Sequence, residues 1–92
     1  MIKDLGDRIE VTGNMTLPAA KALLAEGSSH ITRADAVFDL AGVEDVDSSG
    51  LAVVFGWQRA AKGLGRNVRI VNPPANLRSL AEVYGVSELL PL

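Results

Sequence analysis

The alternation of apolar and polar side chains predicts that the chain begins with two strands. Residues 2–5 and 8–12 flank Gly6-Asp7, a two-residue sequence typical of the turn that closes a β-hairpin. Residues 36–40 are mostly apolar, as expected of a short central parallel strand, and residues 67–72 alternate again. We therefore expect about four strands, with the first two antiparallel.

Apolar residues recur at helical spacing between and after these strands. Leu17, Ala20 and Leu24 predict a helix capped by Thr16, and residues 48–62 predict a second helix. A third helix is predicted after Pro73-Pro74, with an apolar face of Leu77, Leu80, Ala81 and Tyr84. The apolar end of the chain, residues 86–92, is expected to be packed or bound.

Two segments interrupt the pattern and are expected to lie outside the strands. Residues 13–16 predict a turn, and residues 40–46, which carry Glu44 and Asp45, predict an exposed acidic loop. A helix that joins two strands of one sheet makes those strands parallel. The order therefore predicts an α/β fold, a small mixed sheet of about four strands with three helices packed on it. We expect residues 1–92 to form a single domain.

The composition argues against several classes of function. The chain has a net charge of −2, no cysteine and one histidine, His30. A slightly acidic chain does not suit nucleic acid, and thiolate or histidine-rich metal sites have no ligands here, so we expect no nucleic-acid partner, metal or cofactor. The amino terminus lacks the features of a signal peptide, and no apolar run reaches the ~20 residues that span a bilayer. We expect a cytoplasmic protein.

The main candidate site is the segment Asp47-Ser48-Ser49-Gly50, which stands where the second helix begins. Asp and Ser oxygens at such a position accept from backbone N–H groups that lack partners. In one interpretation the hydroxyls only cap the helix. In the other, a hydroxyl is a switch, because a phosphate would place about two negative charges beside Asp47 and oppose any interface that covers this corner. The residues alone leave both open.

The second helix carries an apolar arc of roughly 220°, wider than one core requires. Either the small domain wraps this helix, with Trp57 at the edge of the core, or part of the arc is a docking surface for a partner protein. The docking interpretation predicts that Leu51, Phe55 or Trp57 is partly exposed.

Catalytic motifs are weak or missing. The chain contains neither a phosphate-binding glycine loop nor a G-x-S-x-G elbow, and His30 comes from a different loop than the serines. Glu44, Asp45 and Asp47 are expected to be solvated carboxylates rather than a tuned acid–base couple. A small hydrolase that uses this acidic loop is the alternative, but the residues favour a binding module.

Residues 46–51, Val-Asp-Ser-Ser-Gly-Leu, with a strand that ends in Asp39-Leu40 before them and an apolar helix after them, resemble the STAS domain signature. STAS is the fold of bacterial anti-sigma-factor antagonists. In those proteins a partner kinase phosphorylates the hydroxyl directly after the Asp, which implies Ser48 as the regulatory hydroxyl here. The short chain, the Gly6-Asp7 hairpin and residues 83–91 look most like the MlaB-type subunit of the ABC transporter that moves phospholipid to maintain outer-membrane lipid asymmetry.

The resemblance implies a non-catalytic cytoplasmic subunit that binds and regulates the transporter's ATPase and meets the membrane only through that complex. The alternative is an anti-sigma-factor antagonist whose partner is a kinase. Many antagonists carry an acidic pair where this chain reads Gly13-Asn14-Met15-Thr16, and this departure favours a partner other than a kinase. The residues expected to contact the partner are Asp47, Ser48, Ser49, Gly50, Leu51, Phe55, Gly13, Asn14 and Met15.

Overall fold

Strands and helices follow one another along the chain in the predicted order. The computed structural model describes all 92 residues. The elements are β1 (Ile2–Asp4), β2 (Ile9–Met15), α1 (Leu17–Ser29), β3 (Asp35–Val46), α2 (Ser48–Gly63), β4 (Asn67–Val71), α3 (Ala75–Val83) and a 3-10 turn (Ser87–Leu89). The longest helix, α2, has 16 residues, and none of the helices combines the length and the apolar character needed to cross a bilayer. The predicted α/β class, with a four-stranded sheet and three helices, is confirmed.

The four strands form one sheet in the order β1-β2-β3-β4. β1 pairs antiparallel with β2, and Gly6 lies in the hairpin turn with a φ of 93°, which costs glycine little. β2 and β3 are parallel, as are β3 and β4. Both crossovers advance across the sheet in the same direction, so their right-handed sense places α1 and α2 on the same face. The mixed sheet predicted from the sequence is therefore confirmed.

β2 and β3 run further than the sequence pattern predicted. Residues 13–15 belong to β2, where we expected a turn, and residues 41–46 belong to β3, where we expected a loop. The parallel register between these strands contains two shifts, and at each one β3 carries an extra residue. As a result Leu40, Val43 and Val46 are buried at a spacing of three, which hides the alternation by which a strand is recognised.

The core is aliphatic with one aromatic pair at its centre. Phe38 on β3 and Trp57 on α2 stack with ring centroids 4.2 Å apart, and both side chains are fully buried. The indole N–H of Trp57 donates to the carbonyl of Leu23 on α1 at 3.0 Å, so its polar atom is paired. Gly27 faces the same ring so closely that a β-carbon there would overlap it. The tryptophan thus holds α1 against α2.

This packing decides which face of α1 is buried. Leu23 and Gly27 are buried against α2, whereas Leu17 is 71 % exposed and Leu24 is 37 % exposed. The apolar spacing of Leu17 and Leu24 therefore did not mark the core face, because the tryptophan ring selects the side of α1 that carries glycine. On the predicted face of α3, Leu77 and Ala81 are buried and Leu80 is half-buried, whereas Tyr84 follows the helix and is 57 % exposed.

One charged side chain is buried on the face of the sheet opposite Phe38. Asp39 is 8 % exposed, and its carboxylate accepts hydrogen bonds from the Ala41 N–H at 3.0 Å, Asn72 Nδ2 at 3.1 Å and Arg8 Nε at 3.2 Å. The Ala41 N–H lowers the pKa of Asp39, burial raises it in part, and Asn72 and Arg8 lower it again, so it lies below its ordinary value. The network ties the residues that flank β2 and β4 to the middle of β3.

The end of the chain packs against the body of the protein. Leu90 is 8 % exposed, and the carbonyl of Pro91 accepts a hydrogen bond from the Ile70 N–H at 2.7 Å on the outer edge of β4. This contact covers part of an otherwise unpaired strand edge. The segment from Val86 to Leu89 is thereby held beside α2, where it forms one wall of a groove described below.

Candidate functional site

Asp47 caps two helices at once. As the N-cap residue of α2, it accepts hydrogen bonds through Oδ1 from the N–H groups of Ser49 at 2.8 Å and Gly50 at 3.3 Å. Through Oδ2 it accepts a hydrogen bond at 3.1 Å from the N–H of Leu17, the first residue of α1. Thr16 precedes α1 but makes no side-chain capping hydrogen bond. One carboxylate therefore satisfies backbone donors at the start of both helices.

The charge of Asp47 is compensated by this environment. Desolvation raises the pKa of Asp47, but the hydrogen bonds from the backbone of Leu17, Ser49 and Gly50 lower it by more, so the pKa lies below its ordinary value. The partial positive charge at the start of each helix acts in the same direction. The carboxylate is ionised at neutral pH and holds the backbone at Ser48 in place.

Gly50 allows the first turn of α2 to approach the end of β2. A β-carbon at this position would overlap the backbone carbonyl oxygen of Met15 and would lie 2.8 Å from a methyl carbon of Val46. The same carbonyl of Met15 accepts a hydrogen bond from the Asp47 N–H at 3.3 Å. The start of α2 is therefore fixed against two strands by backbone contacts.

Three of the predicted contact residues lie beneath the surface of this corner. Met15 is fully buried, Leu51 is 5 % exposed and Gly50 is buried. The prediction that they face a partner is corrected by their burial. Met15 points into the core because β2 continues through it instead of turning, and Leu51 lies on the inner side of α2. These residues support the corner from within, and the side chains of Met15 and Leu51 are not available to a partner.

Other residues form the surface of the corner. Ser48 and Asn14 are exposed, and Ser49, Asp47 and Gly13 are half-buried. The side-chain hydrogen bonds of the corner go to the Asp47 carboxylate rather than to the Ser48 hydroxyl. Leu17 joins this surface, because its backbone is bonded to Asp47 and its side chain is 71 % exposed. Sequence reasoning missed Leu17, since only the fold brings the start of α1 beside the start of α2.

An uncovered stripe runs along α2 from this corner. It consists of Ser48, Ala52, Phe55, Arg59 and Lys62. At 100° per residue these positions lie within an arc of about 80° around the helix axis. Phe55 is half-buried and the other four are exposed, whereas Leu51 and Trp57 are buried. The domain thus wraps α2 everywhere except along this stripe, and Phe55 alone has the partial exposure that the docking interpretation required.

An open groove of about 360 Å³ lies beside the middle of the stripe. Its walls are Phe55, Gln58 and Arg59 of α2 and Val86 and Leu89 of the C-terminal segment. Leu89 is 61 % exposed. Arg59 is the only charged residue in the groove, and the ion pairs of the protein involve other residues.

No histidine lies beside Ser48. His30 precedes β3, whereas Ser48 follows its far end, and the His30 Nδ1 atom lies 3.9 Å from a carboxylate oxygen of Asp4. Glu44 and Asp45 are exposed on β3, and no three acidic, histidine or cysteine side chains are grouped so that they could hold a metal ion. What the corner offers is a hydroxyl, a compensated carboxylate and apolar surface, which are the components of a protein contact.

Solved structures share this architecture. The chain is similar to the anti-sigma factor antagonist SpoIIAA in its unphosphorylated form, with a TM-score of 0.73, 18 % identity, and coverage of 98 % of this chain and 84 % of that chain. It is also similar to the phosphorylated form of SpoIIAA, a Bacillus cell fate determinant, with a TM-score of 0.69, 18 % identity, and coverage of 98 % and 86 %. At these identities the likeness concerns the fold alone. The chain therefore has the fold seen in SpoIIAA.

Sequence comparison places the chain more narrowly. A family profile described as "Mlab, STAS domain" matches residues 2–91, so the chain belongs to the MlaB-type STAS family. It is 33 % identical over 51 residues to the intermembrane phospholipid transport system binding protein MlaB of Haemophilus influenzae (strain ATCC 51907 / DSM 11121 / KW20 / Rd). That match covers 55 % of this chain and 49 % of that protein, so the chain spans about half the length of the curated relative it matches. The predicted membership of the STAS family is confirmed.

Proposed function

We propose that this chain is a non-catalytic STAS subunit that binds and regulates the ATPase of a phospholipid ABC transporter. The observation that carries the proposal is the exposed Ser48 at a rigid corner, with uncovered apolar surface on both sides from Leu17 and Phe55. The similarity to a protein of intermembrane phospholipid transport gives the transporter as the setting. In this setting the chain works in the cytoplasm and reaches the membrane only through its partner.

The electrostatics of the corner suit a surface that another protein covers. Burial of a carboxylate without partners is expensive, but Asp47 already accepts three backbone hydrogen bonds. Ser48 is neutral and can donate or accept a hydrogen bond with the partner. In this proposal the backbone of Ser49 and Gly50 holds Ser48 in position. Gly13 and Asn14 contact the partner on the other side of Ser48.

The absence of a histidine beside Ser48, together with the engagement of the Asp47 carboxylate by three backbone N–H groups, supports a binding role over a catalytic one. A serine becomes a nucleophile when a histidine or another base takes its proton. His30 lies beyond the other end of β3, so it does not serve Ser48. We therefore assign regulation to binding, and the chain hydrolyses nothing itself.

An anti-sigma-factor antagonist, switched by a serine kinase at Ser48, is the second candidate. Two observations favour it, namely the exposure of the Ser48 hydroxyl and the SpoIIAA fold, which has been solved in both phosphorylation states. A phosphate at Ser48 would stand at a helix N-terminus beside the ionised Asp47, and it would prevent a neutral partner surface from closing over the corner.

The decisive experiment measures binding of the purified chain to the transporter ATPase by calorimetry, together with ATPase turnover. We expect micromolar or tighter binding and increased turnover. Ser48→Asp should weaken binding by well over tenfold, because the partner would bury a charge that nothing pairs, while the unfolding midpoint changes little. Ser79→Asp, at an exposed position of α3, is the matched control and should bind as the wild type does.

Two results would overturn this assignment. The wild-type chain would fail to bind the ATPase, or Ser48→Asp would bind as well as Ser79→Asp, which would mean that the corner is not the interface. The second candidate is tested separately by incubation with an anti-sigma-factor kinase and ATP. Gain of one phosphoryl group by intact mass, lost in Ser48→Ala, would support it, and an unchanged mass would remove it.

A further inference from the structure

The groove beside Phe55 extends the uncovered stripe of α2 away from Ser48. Arg59 comes 11 residues after Ser48, which is about 16 Å along the helix axis. A partner that covers Ser48 and follows the stripe therefore passes over the groove within the length of about three helical turns. The groove and the corner are close enough to belong to one interface.

The two ends of the stripe differ in charge. Exposed Glu44 and Asp45 precede the corner on β3, whereas exposed Arg59 and Lys62 lie at the far end of the stripe. At the basic end, the apolar side chains of Val86 and Leu89 face Phe55 across the groove. Such a surface distinguishes the two directions in which a partner segment can lie along it.

We propose that this groove binds a segment of the ATPase that carries a carboxylate beside a large apolar side chain. The apolar side chain enters between Phe55 and Leu89, and the carboxylate pairs with the guanidinium of Arg59. This inference rests on the proposed function, because the occupant belongs to the same partner that covers Ser48.

Charge complementarity selects this occupant. Arg59 has no acidic partner within the protein, and it is the only charged group in walls that are otherwise apolar or, at Gln58, neutral. A guanidinium presents paired N–H donors in the geometry that a carboxylate accepts. When apolar contacts around such a pair exclude water, the pair strengthens, whereas a basic or purely apolar segment would leave Arg59 covered and unpaired.

The test compares two groove variants with two matched controls, using the full chain and the intact ATPase. Arg59→Glu reverses the charge in the groove, and Arg69→Glu makes the same change on β4, on the face of the sheet away from the buried Val68 and Ile70. Leu89→Ala removes the exposed leucine of the groove, and Leu64→Ala removes a leucine of similar exposure at the end of α2. All four positions are exposed, so the fold should be retained.

We expect Arg59→Glu to weaken ATPase binding by at least ~10-fold, the loss that corresponds to one charge-assisted hydrogen bond or more. Leu89→Ala should weaken it several-fold, and the two control variants should bind as the wild type does. In a panel of Asp→Lys and Glu→Lys substitutions on the surface of the ATPase, one variant should restore the affinity of Arg59→Glu.

Each contrary result has its own meaning. If the wild-type chain binds the ATPase and Arg59→Glu matches Arg69→Glu, the groove proposal is wrong while the proposed function stands. If the wild-type chain does not bind the ATPase, the groove proposal and the proposed function are both wrong. If no lysine substitution in the ATPase restores the affinity of Arg59→Glu, the proposal that an ATPase carboxylate pairs with Arg59 is wrong. Binding of phosphatidylglycerol vesicles that needs Arg59, with ATPase affinity unchanged, would assign the groove to a lipid headgroup and overturn the proposal.

Discussion

Gly50 is the position at which one added methyl group should disturb the candidate site most directly. It lies in the first turn of α2, and a β-carbon there would overlap the carbonyl oxygen of Met15 and press on the Met15 β-carbon at 2.9 Å and a Val46 methyl at 2.8 Å. The Met15 carbonyl is held in place, because it also accepts the Asp47 N–H at 3.3 Å. In Gly50→Ala the helix must therefore move away from the strands.

The size of the effect follows from two opposing terms. Alanine is a better helix former than glycine by about 1 kcal/mol, which favours the variant. Forcing a methyl group into a packed site costs typically 1–3 kcal/mol, and the upper part of that range applies when backbone rather than a flexible side chain must yield. We expect Gly50→Ala to lower the free energy of unfolding by about 1–2 kcal/mol and to weaken ATPase binding through displacement of Ser48.

Two other glycines of α2 provide controls for the same substitution. A β-carbon at Gly56 would meet the tip of Leu24 at 2.5 Å, but Leu24 is flexible and 37 % exposed, so Gly56→Ala should change stability little. A β-carbon at Gly63 would meet nothing within 4 Å, so Gly63→Ala should leave stability unchanged or raise it.

Urea unfolding followed by tryptophan fluorescence measures these differences. Trp57 is the only tryptophan and is fully buried, so its emission reports the loss of the core. The urea midpoint should fall for Gly50→Ala alone, with the slope unchanged. A Gly50→Ala variant as stable as Gly56→Ala or Gly63→Ala would refute the close approach of α2 to β2, and with it the rigidity on which the corner depends.

Two further predictions concern the core and the buried carboxylate. Gly27→Ala should lower the free energy of unfolding by about 3 kcal/mol, because the Trp57 ring that the new β-carbon would meet is held in place by Phe38 and by the carbonyl of Leu23. If urea unfolding gives a value within about 1 kcal/mol of the wild type, this packing is contradicted. Asp39→Asn should lower the free energy of unfolding by about 1–3 kcal/mol at pH 7. The folded pKa of Asp39 is lowered, so its stabilisation is complete above the unfolded pKa of about 3.9 and is lost as the pH falls through the folded pKa. The difference between the urea midpoints of wild type and Asp39→Asn should therefore begin to shrink as the pH falls below about 4. A constant difference down to pH 3 would show that another group carries the acid sensitivity.

The order of the elements was predictable because two signals agree along most of the chain. The residues typical of turns and helix ends lie where the periodicity of the apolar residues changes. Gly6 marks the hairpin, and Gly63 and Gly65 mark the end of α2. The lengths of β2 and β3 were not predictable, because the two bulges in β3 are set by pairing with β2 and are invisible in either strand alone. The inner face of α1 was likewise decided by another element, since Trp57 requires Gly27 beneath it.

The candidate site also has a part that was predictable from the sequence and a part that was not. Its chemical centre, Asp47-Ser48, was found from the sequence because helix capping is a local interaction that residue types and spacing reveal. Its surroundings are set by tertiary structure. Met15 and Leu51 entered the core, while Leu17 and Leu89 came to the surface of the corner and of the groove. Apolar character alone does not tell these two pairs apart; the fold does.

The corner has its shape before any partner arrives. The Asp47 carboxylate accepts hydrogen bonds from backbone N–H groups at the starts of α1 and α2. Gly50 allows α2 to pack closely against Met15. The contacts that stabilise this region are therefore internal to the protein. Ser48, Arg59 and Leu89 are exposed and add little to the stability of the free chain. A preorganised surface loses little conformational entropy on binding. Substitutions of Ser48, Arg59 or Leu89 should therefore change affinity without changing the unfolding midpoint, whereas substitution of Gly50 should change both.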